Sequence, residues 1–403
     1  MIRYRAAWVV PVAGPPVRDG WIAVDQGLIA ATGRGVSGGA PEIDLGDVAV
    51  LPGLVNAHTH LELSYLRDQV PPAREFVAWI RGVMAARRGQ PDPASPLILD
   101  AVDQAIAEAE ASGTALVGDI SNTLVTWDPL RRSSMGGVVF SELIRFNPAD
   151  AESLVADACR RLRLLAPSDR LRSALAAHAP YSVAPLVFRA IRRAADREAL
   201  TPCSVHLSES VEEVEFLRTG GGPWRSLLED VGAWDPEWTP PGVSPVRFLD
   251  EAGFLDGRTV AVHGVQMTAE DLRVLRAHGT TLVTCPRSNG HTGAGAPPLA
   301  DFYDAGLNVA VGTDSLASAP DLNLFAELAT MHALAPGVPP RALLDSATRA
   351  GAAALGFEGT YGTIEPGARA SLLAVALPAS TDDVEEYLVS GVGPDQVRWV
   401  ERQ

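Results

Sequence analysis

The chain has 403 residues, 47% of them hydrophobic, eight histidines and a formal net charge of −16 at pH 7. That length allows one large domain with an added module, and a charge of that sign sets the protein's own field against nucleic acid and anionic membranes. Lysine is absent, so all 33 basic side chains are arginine, which excludes a Schiff-base lysine, a Walker-type phosphate loop and a carbamylated lysine bridging two metals.

Residues 1 to about 52 read as short strands and turns, with "WIAVDQGLIAATGRG" alternating around Gly27 and Gly33 as hairpins do. The opening "MIRYRAAWVVPVAGPPVRDG" lacks the long apolar core and cleavage site of a signal peptide, and no segment reaches the length of a membrane span. Three widely spaced cysteines, Cys159, Cys203 and Cys285, fit a reducing compartment, so a cytoplasmic protein is expected.

From Gly53 to about Gly356, short apolar runs alternate with longer helical patterns. After "LPGLVNAHTH" come "TALVGDI", "GGVVFSELI", "SALAAHAP", "TPCSVHLSES", "TVAVHGV", "TLVTCPRSN" and "NVAVGTDS". The alternation predicts a parallel sheet of the α/β class, and roughly eight units predict a closed (β/α)8 barrel. Residues 222–245, with Trp224, Trp234, Trp238 and several prolines, are expected to form a long loop over the barrel rim, either capping a ligand or simply packed down by the tryptophans. "YGTIEPGARASLLAVAL" returns to turns and strands. Residues 1–52 and 357–403 are therefore expected to build one small β-sandwich module beside a barrel over 53–356.

Polar residues collect at the C-terminal ends of these strands, the rim on which barrel enzymes place their chemistry. His58, His60, His206 and His263 end apolar runs, and Asp314 ends another. Residues two apart on a strand face the same side, so His58 and His60 can share an ion. Three imidazoles and a carboxylate suit Zn²⁺ or Fe²⁺ and leave a position for water, whose pKa the cation lowers toward neutrality. Each residue alone has an ordinary alternative: a buried histidine is usually hydrogen-bonded in place, and Asp314 could cap the following helix. Their concentration at strand ends favours the metal. Glu209, three residues after His206, stands on the same rim, where apolar walls would raise its pKa and let it shuttle a proton. It could instead begin the helix "SVEEVEFL", a role that Glu212, Glu213 and Glu215 fit better.

"PGLVNAHTH", "HLSE", "VHG", "CPRSN" and "VGTDS", in this order, resemble the amidohydrolase superfamily over nearly the whole chain, and "YGTIEPGARASLL" resembles its C-terminal signature. The His-x-x-Glu at 206–209 is similar to the one-metal branch that contains cytosine, methylthioadenosine/S-adenosylhomocysteine and aminodeoxyfutalosine deaminases and the triazine chlorohydrolases. The resemblance implies one divalent metal, Zn²⁺ ahead of Fe²⁺, held by His58, His60, His206 and Asp314. It also implies Glu209 as proton shuttle, His263 hydrogen-bonded to the attacking hydroxide, and Asp314 accepting the water proton. Glu142 of "FSELI" is where a second ion would bridge in some related deaminases. "AAHAPYSVAP" resembles the segment that carries a substrate-contacting histidine in nucleoside deaminases, which nominates His178.

Two departures stand out. "GHTGAGAPPL" after "CPRSN" is unlike the segment common in methylthioadenosine deaminases, and Ser371 stands where the family usually has Asp. The implied activity is release of ammonia from an aminated heterocycle, an adenine nucleoside with a bulky 5′ substituent of the aminodeoxyfutalosine kind. Arg145 would receive a carboxylate on that substituent and Glu62 would meet the ribose hydroxyls. The alternatives are another carbon–nitrogen or carbon–halide bond, as in chlorohydrolases or cytosine and guanine deaminases, and a metal-binding barrel without turnover. A small-molecule substrate is expected, with no nucleic acid or membrane partner, and the sequence leaves a homo-oligomer open.

Overall fold

Alternating apolar residues at the N-terminus form the antiparallel strands β1 (Ile2–Val9), β2 (Val17–Asp25) and β3 (Leu28–Arg34), and β4 (Glu42–Asp44) and β5 (Val48–Pro52) then run parallel to β1. Gln26 and Gly27, with φ of 52° and 76°, make the tight turn between β2 and β3 that the glycine signalled. The structure is a computed structural model that describes residues 1–35, 41–147, 150–198, 202–379 and 381–400.

A second sheet holds β6 (Leu54–Thr59), β7 (Thr114–Ser121), β8 (Gly136–Leu143), β9 (Leu171–Ala177), β10 (Cys203–Leu207), β11 (Thr259–His263), β12 (Thr281–Thr284) and β13 (Asn308–Val311), each parallel to the next. These strands are apolar almost end to end because both of their faces are covered. The ring closes between β13 and β6 through a polar seam. Asn56 accepts from the Thr313 N–H at 3.1 Å and donates to Thr313 Oγ1 at 2.7 Å, while the Asp314 N–H donates to His58 O at 3.1 Å. A Cβ on Gly312 would stand 2.5 Å from His58 O, so only glycine lets the two edges approach this closely. The seam sets His58 beside Asp314.

β14 (Leu372–Ala376) and β15 (Val397–Trp399) return to the first sheet, with β14 antiparallel to β5 and Leu372 opposite Pro52. Both ends of the chain thus build one seven-stranded sheet beside the barrel, in the order β15-β14-β5-β1-β2-β3 with β4 next to β1. The expected barrel and its terminal module both form. No helix among the described residues is long and apolar enough to cross a membrane.

One expectation is overturned. Residues 222–245 are not loop throughout: Gly222–Asp230 is a helix, and a second helix, Pro245–Glu251, starts under a Ser244 cap. Pro223 reads as a breaker, yet it lies in the first turn, where a missing N–H costs nothing. The first helix turns Trp224, Leu227 and Leu228 inward.

Candidate active site

At the C-terminal end of the barrel, His58 on β6 and His60 just beyond it come together with His206 and Asp314. His60 Nε2 lies 3.3 Å from His206 Nε2, and Asp314 Oδ1 lies 3.6 Å from His60 Nε2 and 3.8 Å from His58 Nε2. His58 is fully buried, and neither of its ring nitrogens has a hydrogen-bond partner among the described residues. An unsatisfied buried polar atom costs about 1–3 kcal/mol, so His58 Nε2, which faces Asp314, calls for a ligand. Donor atoms about 2.0–2.2 Å from a tetrahedral Zn²⁺ sit about 3.3–3.6 Å from one another, close to the spacing observed. The residues fit a divalent metal.

Supporting contacts aim these donors. His206 Nδ1 lies 2.8 Å from the His178 carbonyl, which turns Nε2 toward His60. Asp314 Oδ2 accepts from Ser288 Oγ at 2.5 Å and Ser318 Oγ at 3.2 Å, leaving Oδ1 for the histidines. Burial, then the neighbouring imidazoles, pull His58 well below the usual histidine range, and burial above all takes His60 down to about 3. The rings are neutral, the form that binds metal.

Residues three apart on a strand face opposite sides, yet His206 and Glu209 line the same cavity. Ser208 makes this possible: its φ of 53° turns the chain just beyond β10. The freed Ser208 and Glu209 N–H groups donate to Glu213 at 3.1 and 2.8 Å. Glu209 Oε1 lies 3.5 Å from His263 Nε2. Burial first, then the charges of Asp314, Glu213 and Glu212, raise the Glu209 carboxyl well above the usual range, so its protonated form is favoured. His263 and Asp314 also have left-handed backbone, with φ of 79° and 59°. Strain of about 1–3 kcal/mol at each such residue is typical of functional sites. Asn289 Nδ2 lies 3.0 Å from His263 Nδ1 and holds the ring in place.

His60, His206, Glu209, His263 and Asp314 floor a cavity of 1070 Å³. Its walls are largely apolar, built by the helices Phe76–Arg88 and Gly222–Asp230 through Phe76, Trp79, Val83, Trp224 and Leu227. Tyr181 stacks on Trp224 with ring centroids 3.6 Å apart. His178 and Arg145, both expected to meet substrate, line this cavity. His178 Nδ1 lies 2.6 Å from Ser182 Oγ, and burial takes its pKa down to about 4. Arg88 joins Arg145 on the lining, and neither has an ion-pair partner among the described residues.

Glu62 requires a correction, because it does not line the cavity. Its buried carboxylate accepts from Ser121 Oγ at 2.7 Å, from the Thr123 N–H and Oγ1 at 3.2 and 2.8 Å, and from Arg87 at 3.5 Å. This network engages both carboxylate oxygens, and it braces Arg87, which does reach the cavity. Glu142 lies on the lining with Oε1 3.6 Å from His206 Nδ1, and burial raises its carboxyl. Glu212 and Glu213, read as ordinary acids of a helix start, are buried and bonded to main-chain N–H groups of other segments. Ser288 and Asn289 of "CPRSN", and Arg87, Arg88 and Tyr181, join the site although nothing in their local sequence pattern sets them apart.

A closed parallel barrel with a buried His and Asp cluster at its C-terminal rim, and a buried carboxyl of raised pKa beside it, defines a metal-dependent hydrolase. The chain belongs to the Amidohydrolase family, whose pattern matches residues 49–395. It is similar to the aminodeoxyfutalosine deaminase of Deinococcus radiodurans, with 34% identity over 333 residues covering 76% of this chain and 73% of that one. Among solved structures it is similar to Helicobacter pylori aminofutalosine deaminase in complex with methylthio-coformycin, at 25% identity and a TM-score of 0.86, covering 100% of this chain and 98% of that one. It is likewise similar to an adenosine deaminase from Xanthomonas campestris with bound zinc, at 28% identity and a TM-score of 0.83, covering 98% and 90% of the two chains. The family resemblance read from the motifs is borne out, and with it a hydrolase acting on carbon–nitrogen bonds.

Proposed function

We propose that this protein is a zinc-dependent hydrolytic deaminase of an adenine nucleoside with a 5′ substituent, of the aminodeoxyfutalosine kind. The observation that carries the reading is that His60, His206 and Asp314, with His58 3.8 Å from Asp314, meet Glu209, whose carboxyl burial raises, on one cavity. At 1070 Å³ that cavity lies at the top of the range of about 300–1,000 Å³ usual for ligand pockets, and leaves room for more than a base and a ribose. The named relatives act on substrates of this class by their descriptions, and one was crystallised with zinc.

His58, His60, His206 and Asp314 would hold the single ion, and a nitrogen-rich set of neutral imidazoles suits Zn²⁺. When bound, the cation lowers the pKa of water toward neutrality and so supplies a nucleophile at neutral pH. Asp314 would accept a proton from the attacking water as the water oxygen bonds to C6 of the purine. Glu209 donates its carboxyl proton to N1, which removes the double bond between N1 and C6. Asp314 then returns its proton to the amino group, which leaves as ammonia, and the new C6 hydroxyl gives its proton to Glu209 as the carbonyl forms. His263 holds the attacking oxygen on line. His178 meets the purine edge or the sugar, and Arg145 with Arg88 receives an anionic 5′ group. The buried Cys203 and Cys285, which form no disulfide among the described residues, fit the cytoplasmic setting that belongs to this proposal.

The test follows conversion of adenine to hypoxanthine, with ammonia release, for aminodeoxyfutalosine, 5′-methylthioadenosine, S-adenosylhomocysteine and adenosine on zinc-loaded protein. The carboxylate-bearing nucleosides are expected to be preferred, and Arg145→Ala to raise their KM about tenfold while neutral analogues change little. Turnover on a pyrimidine or triazine with none on any adenosine derivative would reject the substrate class.

A further inference from the structure

β10 ends at Leu207, so the N–H groups of Ser208 and Glu209 lie beyond the strand ladder, and a single side chain takes up both. Glu213 is fully buried, with Oε1 accepting from Ser208 N–H at 3.1 Å and Oε2 accepting from Glu209 N–H at 2.8 Å. We propose that Glu213 is a positioning residue for Glu209, its two carboxylate oxygens holding the turned main chain that aims the acid at the substrate. The inference rests on the proton-shuttle role proposed for Glu209.

The need for such a brace comes from the spacing of the site. Glu209 is an odd number of residues from His206, and a continued strand would send its carboxyl out of the cavity. The left-handed Ser208, at φ 53°, reverses that sense, but a serine holds such a conformation only where its surroundings over-determine it. Two consecutive N–H groups donating to the two oxygens of one side chain do this, against the burial that takes the Glu213 carboxyl up to about 8. The brace is itself fixed, because Ser210 Oγ caps the helix Val211–Thr219 by accepting from the Glu213 N–H at 3.2 Å. Acid, cap and brace thus form one closed loop over residues 209–213. The adjacent Glu212 turns elsewhere and accepts from the Phe76 N–H at 3.0 Å, at the start of a cavity-wall helix. Two neighbouring glutamates therefore serve different parts of the site.

An amide at 213 presents an NH₂ to one of the two N–H groups, so glutamine is no isostere for this task. In Glu213→Gln, kcat for the adenosine-derived substrate of the panel is expected to fall about 10- to 100-fold. KM should stay within about threefold, with zinc content unchanged. Amide hydrogen exchange in the segment 207–210 should accelerate at least about tenfold. Glu212→Gln should instead raise KM, through the wall helix. Glu213→Asp, which keeps the carboxylate one methylene short, should fall between the wild type and Glu213→Gln, and takes its place if the amide variant fails to fold. Wild-type kcat in Glu213→Gln, loss of kcat only in step with zinc or folded fraction, or unchanged exchange at 208 and 209 would overturn the inference. Undiminished turnover in Glu209→Gln would instead break the shuttle reading on which it rests.

Discussion

At the N-terminal end of β11, Asp256 accepts from the Arg258 N–H at 2.8 Å, from Arg258 Nε at 3.0 Å, from Thr259 Oγ1 at 3.2 Å and from Arg192 Nη1 at 3.3 Å. At the C-terminal end of the same strand, His263 faces Glu209, which has no guanidinium within ion-pair distance among the described residues. The two ends thus treat a carboxyl in opposite ways. Burial raises Asp256, but hydrogen bonds from Arg258 and the charge of Arg192 outweigh it, and the group ends below its ordinary value. At the other end burial is not outweighed at three carboxyls: Glu209 is raised well above its ordinary value, Glu142 is raised, and Asp119 is pushed up to about 7, while Asp314, set among the imidazoles, ends below its ordinary value. The lower end spends its charges on holding the fold together. The upper end leaves these three buried carboxyls without a guanidinium that outweighs burial, an arrangement that costs stability and suits proton transfer.

The comparison breaks most visibly at the histidines. His58→Ala/His60→Ala is expected to reduce bound zinc from one equivalent to less than about a tenth, and turnover to background, by elemental analysis and ammonia release. Two equivalents in the active wild type, or undiminished metal in the double variant, would remove the one-ion shell from the upper end. A smaller effect should follow from His263→Asn. Asparagine tolerates the left-handed backbone at φ 79°, so the strand end should survive while the hydrogen bond to the attacking oxygen is lost. Turnover should fall about 10²- to 10⁴-fold with full metal content. Loss of zinc in proportion to activity would make His263 a ligand.

The two ends also differ in how far they could be read from the chain. The eight strands and the His and Asp positions were legible because barrel strands are apolar on both faces and then switch abruptly to polar residues at the rim. His58 and His60 were legible from their spacing of two. Glu213 was not, since acids are favoured in any first helical turn and the spacing does not say that its carboxylate folds back on Ser208 and Glu209. The seam at Asn56 and Thr313 was hidden because it joins positions 257 apart. Glu62 misled because its partners Ser121 and Thr123 come from another strand end. Pro223 misled because proline stops a helix in its interior yet starts one in its first turn. What escaped the sequence was mostly one residue's orientation by another that is distant along the chain.

The smallest effect is expected at the lower end, and it tests the separation most directly. Asp256→Asn keeps the shape but loses the charge that Arg258 and Arg192 share, at a half-buried position where solvent weakens each pair. The loss should be about 1 kcal/mol, a fall in Tm of a few degrees at most for a chain of this size. Its pH dependence has a fixed sign. A carboxyl whose folded pKa lies below its ordinary value of 3.8 contributes stability above that value and loses it as pH falls through the folded pKa. The gap between wild type and variant should therefore be full at pH 7 and close below about pH 4, as calorimetry at several pH values would show. Because Asp256 lies at the opposite end of β11 from His263, kcat and KM at pH 7 should be those of the wild type. A fall in kcat with an unchanged folded fraction would mean that the two ends are coupled along the strand, and that the lower end serves the chemistry as well as the fold.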